Sequence, residues 1–166
     1  MIVVVIIGVL AAVAIAGYSA YIKKSRNAEA TAMLADIRLK QEAYRGTFHQ
    51  YANLSGSCSM WIPRGTPDGD PSTGITWDAS CQTAWRQLGV LPPNGLYFVY
   101  FSEAGIPGAT PARGEYTSNG VNSATDFWFG ATALQDLDDD SSCGGFVTVS
   151  GVLNILDLPE GAVACP

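Results

Sequence analysis

The chain of 166 residues is 48% hydrophobic and carries a formal net charge of −6, enough apolar material for one sizeable core and too little chain for two domains of that kind. Its charge is divided unevenly, with six Lys/Arg against three Asp/Glu in residues 1–45 and three against twelve in residues 46–166. The acidic second part has only Arg64, Arg86 and Arg113 as cations, which excludes a dedicated nucleic-acid surface, since that needs a basic stripe to displace phosphate counterions.

Met1 to Ile22 contains no charged side chain, and at about 1.5 Å of rise per residue such a run reaches roughly 30 Å, the thickness of a hydrocarbon core. A cleaved signal peptide has a shorter apolar region with a basic leader before it. Here Lys23, Lys24 and Arg26 come afterwards, so a retained span is expected rather than a leader or a buried core helix. Exposing this run to water would cost tens of kcal/mol at about 25 cal/mol per Å². It therefore needs lipid or copies of itself. Gly8, Ala11, Ala12, Ala14, Ala16, Gly17 and Ala20 are small enough for helices to approach closely. Ile2, Val5, Ile6, Gly8, Val9, Ala12, Ala16 and Gly17 are the expected helix-to-helix contact residues.

Beyond the span the apolar pattern narrows to a stripe. Ala30, Met33, Leu34, Ile37, Gln41, Tyr44 and Phe48 recur at three- and four-residue steps, one face of a helix that packs on a globular head. No proline or turn cluster separates the two halves, and Gly46 is the expected stop. The division expected is 1–22 as the membrane or fibre-core half of one long helix, 23–46 as its amphipathic half, and 47–166 as the head.

The run "MIVVVIIGVLAAVAIAGYSAYIKKSRNAEA", continued by "RNAEATAMLADIRLKQEAYRGTFHQYANL", resembles the N-terminal helix of type IV pilins and the pseudopilins of type II secretion. The resemblance covers roughly the first 50 residues. It implies a subunit held in the inner-membrane lipid before assembly, then built by pilus assembly machinery into an extracellular homo-oligomeric helical filament. Such a filament is a bacterial pilus or fimbrium, a fibre of the kind used in cell adhesion and motility. In that family a short stretch with an N-methylated phenylalanine and a glutamate precedes the "MIVV" element. Neither stands before Met1, so that glutamate's role is assigned to no residue here. Ala16 stands where most pilins have proline. The family's helix tends to unwind between the positions matching Gly8 and Ala16 on packing into a fibre, and here Gly8 and Gly17, each costing about 1 kcal/mol of helix preference, bracket that stretch.

The remainder reads as a small antiparallel sheet with long connections, so the fold class expected is α+β, a long N-terminal helix packed on a β-rich head. "GLYFVYFS" from Gly95, "DFWFGATAL" from Asp126 and "GGFVTVSGVL" from Gly144 are aromatic or β-branched runs between turn residues, giving three or four strands. "PRGTPDGDPSTG" and "EAGIPGATPARGEYTSNG" read as surface loops, and "SCQTAWRQLGV" as a short helical turn. Cys58, Cys81, Cys143 and Cys165 are even in number with no C-x-x-C pair, a pattern that favours disulfides in an oxidising compartment over zinc. Of the three connectivities, pairing of sequence neighbours is adopted, Cys58 with Cys81 and Cys143 with Cys165. Each bridge would close a loop of about 23 residues and stabilise by roughly 3 kcal/mol in the chain-entropy model. The cysteines outweigh the basic residues after the span, which by the positive-inside tendency would hold the head in the cytoplasm.

No cofactor is required by this reading. Asp136, Asp138 and Asp140 alternate in "LQDLDDDSSCGG", so an extended backbone would aim three carboxylates to one side, a donor set suited to Ca²⁺. It is not an EF-hand, because Ser141 and Val147 occupy the positions of its glycine and last glutamate. A solvated acidic turn is the alternative. His49 is the single histidine, and no G-x-S-x-G, H-E-x-x-H or phosphate-binding glycine motif is present, so no enzyme is expected. Trp61, Trp77, Trp85 and Trp128 are assigned mainly to packing, with a ligand surface as the alternative. The function expected is a structural pilus subunit, with a pseudopilin or minor pilin as the nearest rival and a monomeric membrane-anchored binding protein as the rival of another class.

Overall fold

Three- and four-residue periodicity carries the first helix, α1, from Ile2 to Phe48, about 70 Å at 1.5 Å per residue. The structure is a computed structural model that describes residues 2–54, 61–62, 82–91, 96–136 and 142–164. Gly46 does not stop the helix. The chain leaves it at His49, which takes a left-handed conformation with φ of 58° while its N–H donates to the Arg45 carbonyl at 2.8 Å. A glycine in an exposed last turn costs about 1 kcal/mol, and here Tyr44 and Phe48 offset it by stacking with ring centroids 4.4 Å apart.

The sheet is a meander. β1 (Trp61–Ile62), β2 (Val99–Gly105), β3 (Trp128–Gln135), β4 (Ser142–Val149) and β5 (Leu156–Ala164) lie in chain order, each antiparallel to the next. Two short helices, α2 (Gln82–Leu88) and α3 (Gly114–Ser118), complete the elements described. Three strands fall on the runs expected from sequence, although β2 starts at Val99 rather than near Gly95, and α2 falls within the expected helical turn. β5 is not among the expected strands. Pro159 and Gly161 lie inside it, and both suppress the strand signature. Proline is tolerated there because β5 is an edge with no further neighbour among the described strands.

Strand alternation gives the sheet two buried faces. On one, Tyr100, Ala131 and Ala133 meet Ala30, Met33, Leu34 and Ile37 of α1, with Trp85 and Leu88 of α2 closing the same core. On the other, Phe101, Trp128, Leu134, Val147 and Val149 pack with Tyr116 and Val121. The "EAGIPGATPARGEYTSNG" segment is largely exposed after β2, as expected of a surface loop, but it also contributes to this second core. Its first residues finish β2, and the segment that follows crosses the outer face of the sheet and buries Tyr116 completely. An apolar sheet face needs a cover, and α1 covers only one side. Thr132 Oγ1 donates to the Tyr116 hydroxyl at 3.1 Å, and Trp128 Nε1 donates to the Ala109 carbonyl at 3.0 Å. Gly130 is where Tyr116 presses on β3, since a Cβ there would overlap the phenol ring.

Candidate functional site

The two halves of α1 have different surroundings. From Ala30 to Ile37 its apolar stripe is buried, and Tyr44 is partly buried against the same core. Before Arg26, the described side chains Val3, Ile6, Ile7, Tyr18 and Tyr21 are between 53% and 70% exposed, and Gly8 has no described atom near the place a Cβ would take. Of the other expected contact residues, Ile2, Val5, Val9, Ala12, Ala16 and Gly17 have their backbone in α1, whereas their side chains lie outside the description. The helix runs unbroken through Gly8, Ala16 and Gly17. Among the described residues no helix is long and apolar enough to cross a membrane, and the span expected at Met1–Ile22 has most of its side chains outside them.

Polar contacts fasten the second half of α1 to the head. At the lower end, Glu29 Oε1 accepts from the Tyr97 backbone N–H at 3.0 Å and the Tyr100 hydroxyl at 3.3 Å. The Arg26 guanidinium lies 4.5 Å from the Tyr97 ring centre, a cation–π contact. Burial pushes the Glu29 carboxyl above the usual range, opposed by its hydrogen bonds and by Arg26. Burial, then the charge of Glu29, drives the Tyr100 phenol far upward, so it stays a protonated donor. Three turns further along, Gln41 is fully buried. Its Nε2 donates to the Ala52 carbonyl and its Oε1 accepts from the Ala52 N–H, both at 2.9 Å. One side chain thus completes both backbone groups of a residue in the segment that returns from the helix.

The top of the helix carries a third contact. Tyr51 donates to Glu42 Oε1 at 3.0 Å and accepts from Arg45 Nη1 at 2.9 Å, with its ring 4.9 Å from that of Phe129. Arg38 reaches across to donate to the Leu153 carbonyl beyond β4. On the outer side of the sheet both Glu103 carboxylate oxygens accept the Ala112 N–H at 3.1 Å. Burial raises this carboxyl too. Neither Glu29 nor Glu103 stands out in the sequence. Gln41 does carry a signal, as the one amide in an otherwise apolar stripe.

Of the three carboxylates of the expected metal loop, only that of Asp136 is among the described residues. Asp136 is only 3% exposed at the end of β3, while Asp138 and Asp140 lie outside the described residues. Among the described residues no group of three His, Cys, Asp or Glu is placed to hold a metal ion. Cys143 is buried and disulfide-bonded. Cys58, Cys81 and Cys165 lie outside the described residues, as does the "PRGTPDGDPSTG" segment from Pro63. Trp85 and Trp128 are core residues, each 1% exposed, which agrees with the packing role expected of them. Trp77 and the side chain of Trp61 fall outside the description. His49 is exposed at the helix end. No family model matches the chain, and no curated protein or solved structure matches it.

Proposed function

We propose that the chain is a pilin-like structural subunit that assembles with copies of itself through the first half of α1. The carrying observation is the contrast along one continuous helix. In the second half the stripe of Ala30, Met33, Leu34 and Ile37 is buried in the head, whereas in the first half Val3, Ile6 and Ile7 are each more than half exposed in the single chain. A surface of that kind is stable in lipid or in a bundle of identical helices, and less so in water. The mechanism is transfer from the first environment to the second: apolar side chains leave lipid and pack on neighbouring helices, with small residues allowing close backbone approach. The Glu29 and Gln41 contacts keep each head in a defined place on its helix, so that a bundle of helices carries an ordered coat of acidic heads.

Substitution in the exposed half tests this. Val5→Asp and Ala12→Lys in the full chain should abolish fibres in sheared surface preparations viewed by electron microscopy, with the head still folded by the near-ultraviolet signal of Trp85 and Trp128. Normal fibres from both variants would refute the bundle. Abundance separates a major subunit, which dominates the sheared fraction, from a pseudopilin or minor pilin present only in traces. A wild-type chain found only as detergent-soluble monomers would point to a membrane-anchored binding protein instead.

A further inference from the structure

Lys23 and Lys24 close the apolar half of α1 and are both exposed. The positions three and four residues from them hold Ser19, Ala20, Tyr21, Arg26, Asn27 and Ala28, none acidic, so the helix offers them no neighbour of opposite charge. Among the described residues no ion pair joins either lysine to a carboxylate. Arg26, the third basic residue of this collar, is already turned onto the Tyr97 ring.

One turn further on, where the helix meets the head, there is a cleft of about 190 Å³. Asn27 of α1 lines one side, Phe98 and Phe146 the floor of the sheet, and Asp157, Pro159 and Glu160 of β5 the other side. Asp157 and Glu160 are exposed at its rim. Phe98 is buried, but Phe146 is partly exposed, and an aromatic face under a carboxylate rim suits an amphipathic cation, a methylene stem laid on the Phe146 ring and an ammonium held at the carboxylates.

We infer that this cleft receives Lys23 or Lys24 of a second copy of this chain, and that the contact sets the stagger between neighbouring subunits. Charge complementarity selects the occupant, because the collar is basic and the rest of the chain, residues 46–166, carries twelve acidic residues against three basic ones. The lysines sit three to four residues before Asn27, about 5 Å along the helix. A parallel neighbour displaced along its axis by about that distance brings its collar level with the cleft. Collar and cleft are different surfaces of the same chain, so the contact is heterologous, and because each step carries an axial displacement it does not close into a ring but repeats as an open helical polymer.

This inference rests on the filament reading, and charge reversal separates the two. Lys23→Glu with Lys24→Glu should cut sheared fibre yield at least about tenfold, because like charges set against each other at an interface oppose association. Asp157→Lys with Glu160→Lys should do the same. The four substitutions combined in one chain should restore fibres. Full fibre yield from either double variant, or failure of the combined chain to recover while its near-ultraviolet spectrum matches that of wild type, overturns the inference. Loss with the lysine pair alone also overturns it, in favour of contact with an anionic lipid surface. Wild-type chains that form no fibre at all remove the filament reading and this contact with it, whereas wild-type fibres indifferent to charge reversal remove the contact alone.

Discussion

Replacing Gln41 by leucine tests how the helix is held to the head. Gln41 is completely buried, and its amide satisfies both the N–H and the C=O of Ala52, itself only 9% exposed. Leucine keeps much of the volume and the helix preference but leaves two buried backbone groups without partners. Each costs about 1–3 kcal/mol, so the expected loss is about 2–6 kcal/mol, a large share of the roughly 5–15 kcal/mol typical of a folded domain. The assay is urea unfolding of the full chain in detergent, followed by the fluorescence of Trp85 and Trp128. Leu39→Ala on the same helix is the control. Leu39 is 66% exposed, and its loss should stay within about 0.5 kcal/mol of wild type. A Gln41→Leu variant as stable as the control would refute the claim that this amide fixes the segment after the helix.

Gly130→Ala should destabilise the head by about 1–3 kcal/mol, because the added Cβ enters the Tyr116 ring; an unchanged melting temperature would show that the ring yields freely. Stability should also depend on pH through Glu29 and Glu103, whose carboxyls burial raises above the ordinary value of 4.5. In the window between that value and the raised one the folded chain binds more protons than the unfolded chain. Their contribution therefore grows as pH falls through the window and is lost as pH rises through it. Glu29→Gln should flatten the profile of urea midpoint against pH, and a profile identical to wild type would contradict the assignment. Reducing the disulfide at Cys143 should lower stability by about 2–4 kcal/mol, measured as a shift in melting temperature with and without reductant.

Elements governed by local rules are legible in the order of the residues. The stripe from Ala30 to Tyr44 follows a helical period, and the aromatic and β-branched runs that form β2, β3 and β4 follow the strand signature. β5 escapes such a reading because Pro159 and Gly161 contradict local strand preference, and only its pairing with β4 overrides that. The helix ends at Phe48 rather than Gly46 for a similar reason, since the packing of Phe48 on Tyr44 outweighs a glycine's modest penalty.

Sequence by itself determined that this chain has one uncharged helical run, that the run continues into an amphipathic helix, and that the rest is acidic and rich in strands. Those properties depend on neighbours within about four positions and on composition, which a linear reading contains. Tertiary structure decided that Tyr116 in the loop after β2 covers the second core, that Glu29 bonds to Tyr97 and Tyr100, and that Gln41 completes Ala52. These contacts join residues far apart in the chain, and each exists because a buried polar group or an apolar sheet face must find a partner once the chain has closed around it.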